Sequence, residues 1–145
     1  MFGLKDTRTG KRLITLEDID KDQVILRFER RFIDHPTRTS MQVDKDKHQA
    51  AHDPEAYENF IDHSCDPNCY IDFNCVALRA RRPIRKGESL TYNYLTTEWD
   101  MGEGFECRCN SRRCYGGIRG FKHLSKKRRE KLRPFLSAYL RKRID

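Results

Sequence analysis

The chain has 145 residues, the size of one ordinary domain, so we expect a single core. Charged residues make up 36% of it, which excludes a transmembrane span and the apolar region of a secretory signal. The net charge is +8, but residues 1–118 carry −1 and residues 119–145 carry +9. We expect this basic tail to be either a solvated helix face or a docking patch for nucleic acid or another polyanion.

Short strands are predicted in the first half of the chain. Apolar and β-branched residues predict one strand over Gln23–Phe28 and a second over Ser40–Val43, each bounded by turn-forming residues. The polar stretch Lys45–Glu55 is expected to be irregular. Pro54 can begin a short helical turn that ends near Phe60.

Strands continue through the second half. Cys69–Phe73 and Cys75–Ala80 are predicted to pair around a short turn, with Cys69 and Cys75 as buried core thiols. Ser89–Tyr94 is predicted to be a further strand, entered by a turn at Lys86–Glu88. The body of the protein is therefore expected to be mainly β.

The spacing of apolar residues becomes helical after Leu124. Ser125 is suited to be an N-cap, and we expect one helix before Pro134 and a second that starts there. The residues expected to dock these helices on the body are Leu132, Leu136, Tyr139 and Leu140. The cations of Lys126–Arg129 and Arg141–Arg143 should then remain in solvent, because burial of unpaired cations is costly.

Six cysteines are present, and no secretory signal accompanies them, so metal binding is favoured over disulfides. Cys107, Cys109 and Cys114 form a C-x-C-x4-C pattern. A disulfide between the first two would strain a very short loop, whereas three thiolates can converge on one zinc ion. Tetrahedral zinc needs a fourth ligand, and the neighbouring sequence offers none convincingly. The ligand must come from elsewhere in the chain.

Three motifs occur in a fixed order. They are H-S-C-D-P-N at His63–Asn68, G-E-S-L-T-Y-N-Y at Gly87–Tyr94, and C-x-C-x4-C-x-G at Cys107–Gly116. In this order they resemble the signatures of SET-domain lysine methyltransferases that carry a post-SET zinc loop. The resemblance covers about residues 10–121.

This resemblance implies a SET-domain β fold of small sheets, with a post-SET zinc loop and C-terminal helices. His63–Asn68 and Leu90–Tyr94 would thread past one another in a pseudoknot, and Cys65 would be the fourth zinc ligand. The chain would then consist of a SET domain (residues 1–104), a post-SET zinc-binding segment (residues 105–121) and a basic helical tail (residues 122–145).

The resemblance also implies S-adenosylmethionine as cofactor. His63 would meet the adenine largely through its backbone, and position 62 would meet the methionine part. The other implied binding positions are Gly10, Arg12, Asn68, Tyr94 and Ile118. The family usually has asparagine where this chain has Asp62, and a second glycine where it has Arg12. Ionised Asp62 should favour the ammonium and repel the carboxylate of the cofactor, while Arg12 offers a cation to that carboxylate.

The implied reaction is in-line displacement of a sulfonium methyl by a neutral lysine amine. Tyr94 matches the catalytic tyrosine of the family, whose hydroxyl lies beside the transferring methyl. Tyr92 matches the position tied to product degree, where a hydroxyl crowds the amine and favours fewer methyl additions. The plainer alternative is that both tyrosines are core residues on one face of a strand.

We therefore predict a small protein-lysine methyltransferase, located in the cytoplasm, or in the nucleus if the source is eukaryotic. Histone tails, DNA-packaging proteins and ribosomal proteins are all open as substrates, and no membrane partner is expected. The main alternative is a catalytically weak SET-like zinc module that holds a basic or nucleic-acid partner, which Asp62 and Arg12 would favour. A nucleic-acid-binding zinc module fits less well, because the chain offers no groove-entering helix or histidine ligands.

Overall fold

The computed structural model of the chain describes residues 1–145. Its twelve strands are short: β1 (Phe2–Thr7), β2 (Gly10–Thr15), β3 (Val24–Arg27), β4 (Phe32–Ile33), β5 (Met41–Asp44), β6 (Lys47–Gln49), β7 (Asp62–His63), β8 (Cys69–Asp72), β9 (Ala77–Ala80), β10 (Thr91–Tyr92), β11 (Phe105–Glu106) and β12 (Gly117–Ile118). The helices are α1 (Lys126–Leu132) and α2 (Ala138–Arg141), with 3-10 turns at Tyr57–Phe60, Tyr94–Thr96, Phe121–His123 and Arg133–Phe135. None of these helices has the length and apolar composition needed to cross a bilayer.

The strands form five small sheets, which confirms the mainly β prediction. Two sheets have three strands, in the orders β3-β9-β8 and β4-β6-β5. Three have two strands: the hairpins β1-β2 and β11-β12, and the parallel pair β7-β10. Because no sheet is wide, the fold is held by contacts between sheets, and the parallel pair joins segments that are distant in the sequence.

Most of the predicted strands are present at shifted ends. The segments predicted at Gln23–Phe28 and Ser40–Val43 form β3 and β5. The paired strands β8 and β9 place Cys69 opposite Ala80, and Cys69 is fully buried, as predicted. Cys75 was predicted to be a buried thiol in a strand, but it lies half-buried in the turn between these strands. The turn needs four residues, and Val76 takes a positive φ of 50° to complete it.

Two further predictions were wrong. The stretch expected to be irregular contains β6, the central strand of its sheet, and Gln49 there is buried because its amide donates to the carbonyl of Glu29 at 2.9 Å. The strand predicted over Ser89–Tyr94 is only two residues long. It ends because the Asn93 side chain accepts the Leu95 N–H at 2.9 Å and caps a 3-10 turn.

Buried apolar side chains form two cores. The first fills the space between the sheets and includes Leu13, Leu78 and Leu90. The second core joins the end of the body to the tail, and its members are Leu95, Ile118, Phe121, Leu132, Leu136, Leu140 and Ile144. The predicted docking of the C-terminal helices is confirmed, with Tyr139 packed at the edge of this core.

The start and end of α1 follow the prediction, but α2 begins at Ala138 and not at Pro134, because Ser137 is its N-cap. Ser125 accepts the Arg128 N–H at 3.3 Å as N-cap of α1, and the helix stops before the 3-10 turn that contains Pro134. Arg129 does not follow the prediction that the cations of the tail remain in solvent. It is half-buried and donates to the carbonyls of Lys122, Leu124 and Arg143 at 2.7, 3.1 and 2.8 Å. Arg129 therefore stabilises the tail and is not free for a partner.

Candidate active site and metal centre

The first and second sequence motifs meet at the parallel strands β7 and β10. Thr91 lies beside Asp62 and Tyr92 beside His63. The buried side chain of Asn68 fastens the crossing, since its oxygen accepts the Thr91 N–H at 2.9 Å and its amide donates to the Ser89 carbonyl at 2.8 Å. This arrangement confirms that the two motifs thread past one another. The Asn68 amide is committed to this crossing, and its predicted cofactor role stays a prediction.

Tyr94 lies directly after the crossing, with its hydroxyl donating to the Ile61 carbonyl at 2.5 Å. The ring of Tyr92 is 5.0 Å from that of Tyr94, centroid to centroid. Burial raises the pKa of both phenols above the ordinary value for tyrosine. Both hydroxyls therefore stay protonated at neutral pH, so they can donate hydrogen bonds but cannot serve as anionic bases.

Both tyrosines line a cleft of about 470 Å³. Its wall carries the carboxylates of Glu58, Glu98 and Asp100 and a single cation, Arg38. An apolar and aromatic surface with several carboxylates suits a positively charged, elongated side chain. Sequence reasoning missed this acidic lining, because Glu58 lies on a segment far in sequence from the one that carries Glu98 and Asp100.

Glu98 is the carboxylate nearest in sequence to the tyrosines. Its Oε2 accepts the backbone N–H of Gln42 at 3.0 Å, which ties the segment after the crossing to β5. Burial raises the pKa of Glu98 above the ordinary value for glutamate, although the hydrogen bonds to its carboxylate act in the opposite direction. No sequence pattern singled out Glu98, since a lone glutamate after a strand is usually a surface residue.

His63 is surrounded by aromatic rings and sulfur. Its ring centroid lies 5.3 Å from that of Tyr94 and 5.6 Å from that of Phe105, both edge to face. Burial lowers the pKa of His63 to about 4, so the imidazole is neutral. Its Nδ1 accepts the Tyr94 N–H at 3.0 Å, which leaves the proton on Nε2, 3.3 Å from the Sγ of Cys65. His63 thus links the tyrosine to the cysteine cluster.

The two positions that depart from the family pattern face each other. The Nε of Arg12 lies 3.1 Å from the Oδ2 of Asp62, and both side chains remain about half exposed. Desolvation raises the pKa of Asp62, and the nearby guanidinium of Arg12 partly counteracts it. A carboxylate and a guanidinium thus stand side by side at the start of β7, open to solvent.

The remaining predicted cofactor positions differ in exposure. Gly10 lies at the turn of the β1-β2 hairpin, where its φ of 121° requires glycine and nothing fills the space beside its Cα. Ile118 is fully buried in the second core, so only its backbone can meet a cofactor. Phe105, opposite Ile118 in the β11-β12 pair, is instead 39% exposed and lies over His63. Sequence reasoning missed Phe105.

Four cysteines converge as one cluster that could hold a metal ion. The sulfurs of Cys65, Cys107, Cys109 and Cys114 all lie within 4.8 Å of one another. The Sγ of Cys65 is 3.7 Å from that of Cys107 and 4.0 Å from that of Cys114. These separations fit a tetrahedron, whose edge is ~3.8 Å when the metal–sulfur bond is ~2.3 Å. They are far too long for disulfides, and all six cysteines of the chain are free thiols.

Backbone donors face the sulfurs of this cluster. The N–H of Tyr115 points to Cys65 at 3.3 Å and that of Gly116 to Cys114 at 3.4 Å. Such donors stabilise thiolates, the form that binds metal. The donor set therefore fits a metal. The segment that carries three of the cysteines is closed by the β11-β12 pair, so a metal held there would also hold Phe105 over His63.

Comparison with known proteins agrees with this geometry. The profile of the SET domain matches residues 10–95, which include the crossing, Tyr92 and Tyr94. The chain belongs to the SET-domain family. The SET match ends at Leu95, so the cysteine segment and the tail lie beyond it.

Curated relatives match this chain over part of their own, longer sequences. A methyltransferase of Aspergillus flavus, flvH, is 40% identical over 63 residues, which is 42% of this chain and 35% of the relative. A histone-lysine N-methyltransferase of Chaetomium globosum, specific for histone H3 lysine 36, is 28% identical over 138 residues, covering 81% of this chain and 15% of the relative. The chain therefore spans about a third or less of these relatives.

A solved structure shows a similar fold. The crystal structure of a Plasmodium falciparum protein assigned as a histone methyltransferase superposes with a TM-score of 0.50. It is 18% identical in sequence and covers 65% of this chain and 96% of that protein. The shared SET fold is thus retained at low sequence identity.

Proposed function

We propose that the protein transfers methyl groups from S-adenosylmethionine to the ε-amine of lysine in a protein substrate. One observation carries this proposal: in a SET fold, Tyr94 and Tyr92 lie where the crossed motifs meet an acid-lined cleft. The alternative of a SET-like module without turnover has no comparable feature in its favour, since the tyrosines and the cleft are both present.

The cleft suits a lysine side chain in both of its charge states. Glu58 and Glu98 attract the ammonium form, which is dominant in water because the pKa of free lysine is about 10.4. Asp100 contributes less, because it is already paired with Lys122 at 2.7 Å. The buried aromatic rings of Tyr92 and Tyr94 disfavour charge and so favour the neutral amine, which is the nucleophile. The Tyr94 hydroxyl is protonated, so it positions polar groups at the inner end of the cleft by donating a hydrogen bond. It does not act as the base that removes a proton from the amine.

The residues around β7 fit the cofactor. S-adenosylmethionine supplies an electrophilic methyl group when bound, and it carries an amino-acid part with one ammonium and one carboxylate. Asp62 and Arg12 offer the two complementary charges side by side. The backbone of His63 and the exposed ring of Phe105 are proposed to meet the adenine. Gly10, Asn68, Tyr94 and Ile118 are proposed to complete the binding site.

We infer that the metal is one structural zinc ion, bound by Cys65, Cys107, Cys109 and Cys114. Four thiolates leave no open coordination position, as expected of a structural site and not of a catalytic one. Zinc would join Cys65 of the crossed motifs to the post-SET segment, residues 105–121, and so fix Phe105 beside His63.

The substrate is proposed to be a basic protein segment such as a histone tail, with DNA-packaging and ribosomal proteins as further candidates. The acidic cleft supports this choice, and so do the names of the curated relatives. A histone substrate would place the protein in the nucleus of a eukaryotic cell, and the other substrates in the cytoplasm.

Methyl transfer from labelled S-adenosylmethionine into proteins of a source-cell extract tests the proposal. Labelled lysines identified by mass spectrometry would support it, and they should be lost with Tyr94→Phe. Binding of the cofactor without any labelled lysine would favour another acceptor. Absence of cofactor binding by the zinc-loaded chain would favour the non-catalytic module instead.

A further inference from the structure

A second concave surface is separate from the acid-lined cleft and includes Cys65 and Cys114 of the cysteine cluster. Its volume is about 630 Å³, and its cationic lining residues are Arg81, Arg112, Arg113, Arg128 and Lys131. We call this surface the basic groove. No acidic side chain lines it.

Three separate parts of the chain build the basic groove. Arg81 follows β9 in the body, Arg112 and Arg113 belong to the cysteine segment, and Arg128 and Lys131 lie on α1. The positive charge of the tail therefore does not stand alone, because the fold brings it together with cations of the near-neutral body. This convergence was not visible in the sequence.

The cations of the basic groove have no anionic partners in the protein. All five side chains are exposed, and none forms an ion pair or a side-chain hydrogen bond. Their neighbours in the tail differ, because Lys126 pairs with Asp145 at 2.8 Å and Arg133 with Glu130 at 2.9 Å. Like charges held together without partners repel, so this arrangement points to an anionic ligand.

Two of the arginines are held in place by aromatic rings. The guanidinium of Arg81 lies 4.3 Å from the ring centroid of Phe135, and that of Arg128 lies 4.5 Å from that of Tyr115. A guanidinium that rests on a ring keeps its N–H groups free at the edge, where they can bind phosphate in a bidentate way. The basic groove is thus organised before a ligand arrives.

The metal centre does not neutralise this surface. Cys65 and Cys114 lie at the groove, and a divalent ion with four thiolates carries a net charge of about −2. Five cations exceed that charge. The groove therefore keeps an excess of positive charge, and most of its cations are arginines. Both features favour a ligand with several phosphates on one strand over a ligand with an acidic side chain.

We propose that the basic groove binds the phosphate backbone of nucleic acid and holds the enzyme on a nucleic-acid-bound substrate. The groove needs no base-specific contact, so binding should be largely independent of sequence. The role in holding a substrate rests on the proposed function, whereas duplex binding itself does not, because the groove and the acid-lined cleft share no lining residue.

Fluorescence anisotropy with a labelled 20-base-pair duplex of mixed sequence tests this proposal on the zinc-loaded full chain. The double variant Arg128→Gln/Lys131→Gln should weaken binding about tenfold at low salt and reduce the slope of log Kd against log salt by about 2. Arg81→Gln, in the body, should also weaken binding. The matched control is Lys127→Gln/Lys142→Gln, which removes two exposed tail cations outside the groove and should leave Kd within about twofold.

Two results would overturn the proposal. Equal weakening by both double variants would mean that only net charge attracts the duplex. Displacement of the duplex by an acidic peptide at lower concentration than by unlabelled DNA would assign the groove to an acidic protein. Zinc content is measured for each variant, so that loss of the cysteine segment is not mistaken for loss of a contact. Duplex binding without methyl transfer would refute the proposed enzyme and leave the groove intact.

Discussion

Arg12 and Asp62 form an ion pair of 3.1 Å across β2 and β7. Each residue departs from the usual family pattern, and the departures are in direct contact. Because both side chains are about half exposed, the pair contributes little to stability. Its value lies in presenting a positive and a negative group together at the proposed cofactor site.

The first prediction concerns this pair. Arg12→Gln should weaken S-adenosylmethionine binding about fivefold, because it leaves the Asp62 carboxylate uncompensated beside the cofactor carboxylate. In the Asp62→Asn background the same substitution should have a smaller effect. Isothermal titration calorimetry of the four proteins gives the coupling directly. Arg85→Gln removes an exposed arginine elsewhere and serves as the control. Independent effects of the two substitutions would contradict the prediction.

Tyr94→Phe should reduce kcat about 100-fold, because it removes the hydroxyl at the inner end of the cleft. The fold should stay intact, because the contact of this hydroxyl with the Ile61 carbonyl is the only hydrogen bond lost. Steady-state methylation assays and circular dichroism measure the two effects. Tyr70→Phe is the matched control, since the Tyr70 hydroxyl contacts Asp22 away from the cleft. Near-normal turnover with Tyr94→Phe would mean that the reacting groups lie elsewhere.

Tyr92→Phe should shift the products toward higher methylation. Tyr92 is buried beside Tyr94, and loss of its hydroxyl enlarges the inner end of the cleft and removes a polar group that crowds the amine. Mass spectrometry of a methylated peptide over time measures the ratio of mono-, di- and trimethyl lysine. An unchanged ratio, with unchanged rate, would place Tyr92 outside the channel.

Zinc analysis of the purified chain should give one ion per molecule. Cys65→Ser and Cys109→Ser should lower that content and weaken cofactor binding, because release of the post-SET segment moves Phe105 away from His63. Cys75→Ser is the control, since this thiol lies in a turn outside the cluster. If a variant lost its zinc and kept full cofactor affinity, the segment would not depend on the metal.

Glu98→Gln should raise the melting temperature at pH 7. The pKa of Glu98 is raised in the folded state, so its ionisation at neutral pH lowers the stability of the fold. Glutamine does not ionise and avoids this cost. The side-chain carbonyl of glutamine can still accept the Gln42 N–H. The gain should be roughly 3 °C for about 1 kcal/mol, and it should vanish as the pH falls below the ordinary carboxyl pKa of about 4.5.

Thermal unfolding followed between pH 4 and pH 8 measures this difference. The exposed Glu103→Gln should show no such dependence. A Glu98→Gln protein that is less stable than the parent at every pH would show that the carboxylate is favoured by its partners.

In methylation assays the same substitution should raise the KM of a lysine peptide, because one attractive carboxylate is lost.

The sequence was most informative where spacing dictates chemistry. Cys107, Cys109 and Cys114 predict a metal site because three thiolates so close together leave few alternatives, and the resemblance supplied Cys65. Ser125 and Pro134 predicted the limits of α1 because caps and proline act locally. Residues two apart in a strand share a face, which predicted Tyr92 and Tyr94 side by side. Their rings do lie 5.0 Å apart, but the strand ends at Tyr92 and Tyr94 lies in the 3-10 turn that follows.

Long-range contacts were not predictable in this way. Phe105 reaches His63 only through the pairing of β11 with β12, and Glu98 enters the cleft only because it binds the backbone of Gln42. The polar strand β6 was missed for a related reason. Its buried Gln49 finds partners on distant segments, and the local sequence contains no sign of them.

The separation of the proposed metal ligands in sequence has a consequence for synthesis in the cell. Cys65 precedes Cys107 by 42 residues and Cys114 by 49. At translation rates of roughly 5–20 residues per second, Cys65 waits roughly 2–10 s before its last partner is made. Until then its thiol is open to oxidants, and β7 already needs the later strand β10 to be held in place. The yield of folded protein should therefore depend on reducing conditions and on zinc supply during translation.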